Sequence, residues 1–410
     1  MIKEKYISRI KETSINVVQT KIDSVRNKDI EKVSFRVYDK GFIGYTGALG
    51  RYDESELEKR AIDGLNNKIS YEYPLEKNNI MGEDLSSEII NRDNLIDEFE
   101  ELLARIRKEQ PDFYFSNKLY LTDQEIKMTN SNNLDLYYKD SFISLGLIFK
   151  EKTSVNIIDG FVGFQGRRYD RELAIEYINS ICNAYLHKVD LPNNNKLPVV
   201  FASDEMLPFL KFIQDLDGNN FGTKSSLLSD KIGDRVFNEN FTLYQTNNPK
   251  NYPIPFFDAE GVVNKDYQYA LIENGIVKSP YTDKRTADKY DLPLTGAAKA
   301  EYDGIPTLGT PVMAIKESEK TAKELLNGEM GIFIMVASGG DFTPEGNFAS
   351  PVQLAFLFDG EHFIGRLPEI NISSNLFDMF GDSFIGVSKD AITPLSNSKY
   401  LIINMEVSKN

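Results

Sequence analysis

The sequence predicts an α+β protein, with an N-terminal domain of repeated β-hairpin/helix units and a C-terminal β-rich domain with a few helices. Three observations carry that expectation. At 410 residues the chain exceeds the size at which a single hydrophobic core stops growing, which predicts two domains. Two stretches of the first half echo one another: Gly41-Phe-Ile-Gly-Tyr-Thr-Gly47 with Arg51-Tyr52-Asp53, and Gly160-Phe-Val-Gly-Phe-Gln-Gly166 with Arg168-Tyr169-Asp170. The second half is punctuated by Asn-Gly and Asp-Gly pairs between short apolar runs, which is how hairpins are written.

In chain order, Ile7, Ile10, Ile15, Val18 and Ile22 recur at helical spacing among Lys and Glu, predicting an amphipathic opening helix over about 25 residues. The period then changes to two. Val33, Phe35 and Val37 lead through Asp39-Lys40-Gly41 into Phe42–Thr46, a hairpin, and Asp53 or Ser55 caps a helix carrying Leu57, Ala61, Ile62 and Leu65. The charged segment 72–111 holds a helical stretch from Leu95 to Ile106, and Phe142 to Ile158 reads as strand. The second echo opens a helix at Arg171. The polar, proline-bounded run Pro192–Pro198 reads as a linker, placing the domains at 1–191 and 198–410. Beyond it, Val199-Val200-Phe201 predicts a buried strand, Met206–Ile213 a short helix, Gly218–Thr223 a loop and Lys316–Leu326 a helix. Two hairpins are expected, one at Asn274-Gly275 between Tyr267–Ile272 and Ile276-Val277, the other at Asp359-Gly360 between Val352–Phe358 and His362–Ile364.

Composition narrows the chemistry. The chain has two histidines, His187 and His362, and one cysteine, Cys182. Zinc sites and imidazole-assisted nucleophiles draw on those residues, so few routes to hydrolysis stay open. Cys182 falls in the apolar stripe of the helix after Arg171, the usual place of a small buried hydrophobe, and His187 lies well round that helix from it. His362 reads as a solvated residue beyond a tight turn. The glycine sets lack the spacing of a phosphate loop or a dinucleotide fingerprint and fit hairpins whose backbone is closely approached. A net charge of −15 without a basic stripe disfavours direct nucleic-acid contact. One cysteine, no apolar signal-peptide core after Met1 and no membrane-length apolar run predict a cytoplasmic location without membrane association.

Several motifs in order resemble the TldD/PmbA family. They are Lys224-Ser225-Ser226 with Leu228–Gly233, Phe256-Phe-Asp-Ala-Glu-Gly-Val262, Ala270–Val277, Thr286-Ala287, Thr295-Gly296, Ala337–Phe342 and Ile372–Met379. A looser match covers Phe35–Gly41, so the order of elements agrees over nearly the whole chain. The resemblance implies a cytosolic peptide-processing system in which a TldD-type subunit carries a His-Glu-x-x-x-His zinc helix and a cysteine ligand. The corresponding segment here is Ala202-Ser-Asp-Glu-Met-Leu-Pro-Phe209, without histidine, and no cysteine follows it. The chain therefore resembles the PmbA (TldE) side.

Likeness to that side implies a chain with no catalytic and no metal-binding residues of its own, inactive alone, with zinc in a TldD-like partner. Its expected partners are that subunit, or a second copy of itself, and a peptide or unfolded-protein substrate. A stand-alone homodimeric peptide-binding or regulatory protein is the alternative, and a carboxylate hydrolase using Asp258, Glu260 or Asp341 a third. The candidate peptide-facing residues are Asp258, Glu260, Gly261, Ser338, Gly339, Gly340 and Asp341. Both groups also have a plain reading, the first as a turn with solvated carboxylates, the second as a loop between strands. The family is linked by name to modulation of DNA gyrase, and the acidic balance makes any such effect indirect.

Overall fold

The computed structural model describes residues 1–410. Its first half is one antiparallel-dominated sheet built from very long strands: β1 (Ile2–Val18), β2 (Lys21–Asp39) and β3 (Phe42–Leu49), then helix α1 (Glu54–Gly64). Short strands β4 (Ile69–Ser70) and β5 (Asn79–Leu85) and helix α2 (Leu95–Glu109) lead to β6 (Phe113–Asn130), β7 (Leu134–Glu151), β8 (Gly160–Gly166) and α3 (Arg171–Leu186). The order across the sheet is β4-β3-β2-β1-β6-β7-β5, with β8 on the other half of β7. The echo seen in the sequence is thus two units, β1-β2-β3-α1 and β6-β7-β8-α3, meeting where β1 and β6 pair antiparallel. In both units the repeated aspartate is the helix N-cap: Asp53 accepts from Glu56 N at 3.1 Å and Asp170 from Leu173 N at 3.1 Å. Close backbone approach holds as well, since a Cβ on Gly44 would stand 2.0 Å from the Ala61 carbonyl of α1.

The expected opening helix is instead the strand β1. Its apolar residues suit either period, but the inward set Thr13, Ile15 and Val17 alternates, and both edges of β1 are hydrogen-bonded, to β2 and to β6. Those partners lie outside any local window, and they decide the outcome. The strand predicted through Ile158 stops at Glu151. There Asp159 folds the chain into a turn by accepting from Glu151 N (2.8 Å), Ser154 Oγ (2.7 Å) and Asn156 Nδ2 (3.0 Å).

The second half begins with β9 (Lys196–Ala202), then α4 (Leu210–Asp215) and α5 (Gly218–Gly222). α5 replaces the predicted loop, because Asp217 caps it through Asn219 N (2.8 Å) and Asn220 N (3.2 Å). Next come β10 (Leu243–Thr246), β11 (Gln268–Glu273), β12 (Ile276–Val277), α6 (Lys284–Tyr290), β13 (Ala298–Lys299), β14 (Thr307–Leu308) and β15 (Val312–Ile315); β12-β11-β10-β15 form a small sheet, and β13 pairs with β14 in a separate two-stranded one. The β11–β12 turn is the predicted one, with Asn274 and Gly275 at φ 49° and 77°. Helix α7 covers only Ala322–Leu326, started by a capping box between Thr321 and Glu324; the rest of the predicted helix is held extended, Lys316 N by Thr242 O and Ser318 N by Val387 O.

The closing sheet contains β16 (Gly331–Ala337), β17 (Asp341–Phe342), β18 (Asn347–Phe358), β19 (Phe363–Arg366), β20 (Ile370–Asn375), then α8 (Leu376–Met379), β21 (Phe384–Ala391) and β22 (Lys399–Lys409), with β9 between β16 and β22. One apolar cluster fills the C-terminal half. A second joins the two sheets, placing Phe115, Phe149 and α3 against Val200, Phe356 and Ile402. Cys182 is inside it and fully buried, and burial pushes its thiol well up, which leaves it a packing residue. No helix is long and apolar enough to cross a membrane.

Candidate functional site

The segment between β10 and β11 carries the predicted carboxylates across onto the N-terminal sheet. Asp258 Oδ1 accepts from Glu260 N and Val262 N, both at 2.9 Å, and Oδ2 from Ala298 N at 3.0 Å. The loop can turn that tightly because Gly261 sits at φ +78°, packed on Met128 and Leu134. Glu260 Oε1 accepts from Tyr71 OH at 2.7 Å and Oε2 from Lys284 N at 2.9 Å. Beside them Arg36 Nη1 donates to the Ala259 carbonyl (2.7 Å) and to Glu4 Oε1 (3.2 Å), which also takes Tyr38 OH (2.8 Å). Lys284 Nζ closes the cluster on Pro74 O (2.7 Å) and Glu76 (3.0 Å).

Asp258 and Glu260 are therefore not solvated: they are 6% and 4% exposed. The plain turn reading fails in that respect because residues from β2, the segment after β4 and α6 cover them. Burial pushes both carboxyls up, in Glu260 with the neighbouring Asp258 charge as the next cause. With native pKa values above the unfolded ones, this pair's contribution to stability is complete below the ordinary carboxylate range near pH ~4 and is lost as pH rises toward neutrality. Glu260→Gln can keep both contacts, its oxygen on Lys284 N and its amide on the Tyr71 oxygen. Melting curves at pH 5 and pH 8 are expected to show the variant gaining on the parent as pH rises.

The second predicted group lies elsewhere. Ser338, Gly339 and Gly340 link β16 to β17, which opens at Asp341, along the edge of β18 that both strands pair with: Ser338 Oγ accepts from Gln353 Nε2 (3.1 Å), the Gly339 carbonyl from Ser350 Oγ (2.7 Å) and Asp341 from its neighbour Phe342 N (2.7 Å). No hydrogen bond joins this loop to Asp258 or Glu260, and no main cavity is lined by both groups. Sequence reasoning missed Arg36, Tyr71 and Lys284. A signal existed for one of them: Ser34, Arg36 and Tyr38 alternate with Val33, Phe35 and Val37, and a strand of that kind needs cover on its polar face too.

The segment expected to correspond to a zinc helix is a turn after β9, followed by a single 3₁₀ turn at Leu207–Phe209. Asp204 accepts from Ser398 Oγ, and Glu205 accepts from Leu207 N at 3.3 Å. His187 Nδ1 is held by the Ile364 carbonyl at 2.9 Å, and His362 is exposed beside Asp359. No three His, Cys, Asp or Glu side chains converge, so the residues present do not fit a zinc ion. Residues 202–205 do line a cavity of about 530 Å³, shared with Phe161–Gly166 of β8, whose only strand neighbour is β7.

Geometry alone defines an α+β scaffold of two large sheets and two small ones, clasped by buried carboxylates and without a ligand set for a catalytic metal. Residues 194–409 match the PmbA/TldA metallopeptidase C-terminal domain and residues 5–65 the PmbA/TldA metallopeptidase domain 1. The chain belongs to the PmbA/TldD family, which ties it to peptidase chemistry. An uncharacterized protein of Methanocaldococcus jannaschii is 20% identical over 91% of this chain and 88% of its own length. A zinc metalloprotease TldD homolog of Saccharolobus solfataricus is 25% identical over 46% of this chain and 43% of its own, and a metalloprotease PmbA homolog of Buchnera aphidicola 27% over 52% and 46%. Against these two the match spans less than half the relative's length. In fold, the chain is similar to TldE from Thermococcus kodakarensis, with a TM-score of 0.79 at 18% identity over 99% of this chain and 96% of that one. A Thermotoga maritima protein whose name links it to DNA gyrase modulation gives 0.78, also at 18% identity, with the same coverage.

Proposed function

We propose that this chain is the non-catalytic, PmbA/TldE-like subunit of a TldD-type zinc metallopeptidase complex that processes or degrades unfolded peptides in the cytoplasm. The observation that carries the reading is the turn at Ala202–Phe209, where the imidazoles of a zinc helix are missing and both carboxylates are engaged by neighbours. A bound zinc supplies a water of pKa about 7 in place of about 15.7 and polarises the scissile carbonyl. Lacking its ligands, this chain contributes shape. The free edge of β8 beside that turn suits an extended peptide, because main-chain pairing holds a strand whatever its side chains. The net charge of −15 argues against a direct role on DNA.

Co-expression with a histidine-bearing TldD-type relative from the same genome tests the proposal. The two chains are expected to co-purify and to cleave an unfolded substrate faster than the relative alone. A mixture no better than the relative alone counts against it. A stable homodimer that binds peptide but never captures the relative favours the stand-alone alternative.

A further inference from the structure

A cavity of about 630 Å³ lies between the polar face of the N-terminal sheet and the segments around Phe257 and Tyr302. That volume falls in the range of roughly 300–1,000 Å³ usual for small-ligand sites. Its floor is made by alternate residues of two paired strands: Lys32, Ser34 and Arg36 on β2, with Tyr6 opposite Ser34 and Ser8 opposite Lys32 on β1. The residues between them on β2 face the other way, into the cluster under α1. Ser34 and Arg36 are each 1% exposed, yet Ser34 Oγ and Arg36 Nε have no protein partner. Buried donors stripped of water and left unmatched are rare and costly. The bonds Arg36 does make, to Glu4 and the Ala259 carbonyl, both come from Nη1, which leaves the Nε edge of the guanidinium fork unused.

The charge around this floor is unusual for so acidic a chain. Lys32, Arg36 and Lys299 line the cavity against Asp258 and Glu301. Asp258 has both oxygens filled by backbone N–H groups, and Glu301 is on the exposed rim. Lys32 lies 5.7 Å from the centre of the Tyr302 ring, at the mouth. Ile254, Pro255, Phe257 and Val312 give the walls an apolar lining. Such a pocket offers a planar fork, an unmatched hydroxyl at Ser34 and two flexible cations to an anion, and a greasy surface to whatever the anion is attached to.

We propose that this cavity binds the C-terminal carboxylate of a short peptide, with the carboxylate on Arg36 Nε and Ser34 Oγ and the last side chains against the apolar walls. A carboxylate is planar and matches the edge of a guanidinium fork; a phosphate can use the same edge, and its tighter binding is the outcome that excludes a carboxylate. The choice of a peptide over other carboxylates rests on the peptide-handling role proposed above.

Isothermal titration of the isolated full chain tests it, using Gly-Phe-Ala as the free acid, the same tripeptide amidated at its C-terminus, free alanine and inorganic phosphate. The acid is expected to bind, and the amide about tenfold more weakly or worse. Ser34→Ala is expected to weaken the acid by about fivefold to tenfold while leaving the melting temperature unchanged or raised, since it deletes an unmatched buried hydroxyl. Equal affinity for acid and amide, no binding at all, tighter binding of phosphate, or an unchanged Ser34→Ala variant would each overturn the proposal. Alanine binding as well as the tripeptide would keep the carboxylate seat and overturn the peptide as its source. No partner subunit enters the titration, so faster cleavage with a TldD-type relative beside a blank titration removes this site and leaves the subunit role standing.

Discussion

Replacing Arg167 by alanine is expected to cost about 3–5 kcal/mol of stability, the loss typical when one half of a buried ion pair is removed. Arg167 leaves β8 and grips Asp140 of β7 with two parallel bonds, Nε to Oδ1 at 2.7 Å and Nη2 to Oδ2 at 2.8 Å. Asp140 is 0% exposed, and its remaining bond comes from Tyr138 OH at 2.6 Å. The same guanidinium donates to the carbonyls of Lys250 (2.8 Å), Tyr252 (3.3 Å) and Pro249. One side chain thus neutralises a buried charge in the first sheet and holds a loop of the second half against it. Urea unfolding reads the loss directly. Arg167→Lys is expected to recover only part of it, because an ammonium cannot serve two carboxylate oxygens and a row of carbonyls at once.

Arg36→Ala is expected to be comparably severe, again about 3–5 kcal/mol. Arg36 and Glu4 are 1% and 2% exposed at their side chains, and without the guanidinium Glu4 keeps only the Tyr38 hydroxyl. The Ala259 carbonyl loses its donor as well. Replacing both members of the pair, as in Arg36→Met with Glu4→Met, is expected to recover most of the loss but not all, since the carbonyl stays unmatched. If the double variant is as unstable as Arg36→Ala alone, the buried charge on Glu4 is not the cause.

How much of the fold and site is legible in the sequence depends on the distance between partners. The cap of α1, narrowed to Asp53 or Ser55, and the Asn274-Gly275 turn are legible because each is settled within four residues. β1 reads as a helix because its period is ambiguous alone and its pairing with β6 spans the length of a domain. Asp258 and Glu260 are legible as candidates by family resemblance, but their burial is not. Tyr71 is 189 residues from Glu260, and Arg36 is 223 from Ala259. The second candidate group, Ser338 to Asp341, is legible as a loop, and the fold keeps it away from the first. That Ala202–Phe209 has no histidine and no cysteine follows it is legible outright, because it needs no structure to detect.

The most direct test of the account is the zinc content and peptidase activity of this chain purified alone, after loading with zinc and removal of the free ion. Well under one zinc per chain and no chelator-sensitive hydrolysis of an unfolded substrate are expected. Stoichiometric zinc with turnover that a chelator abolishes would contradict it.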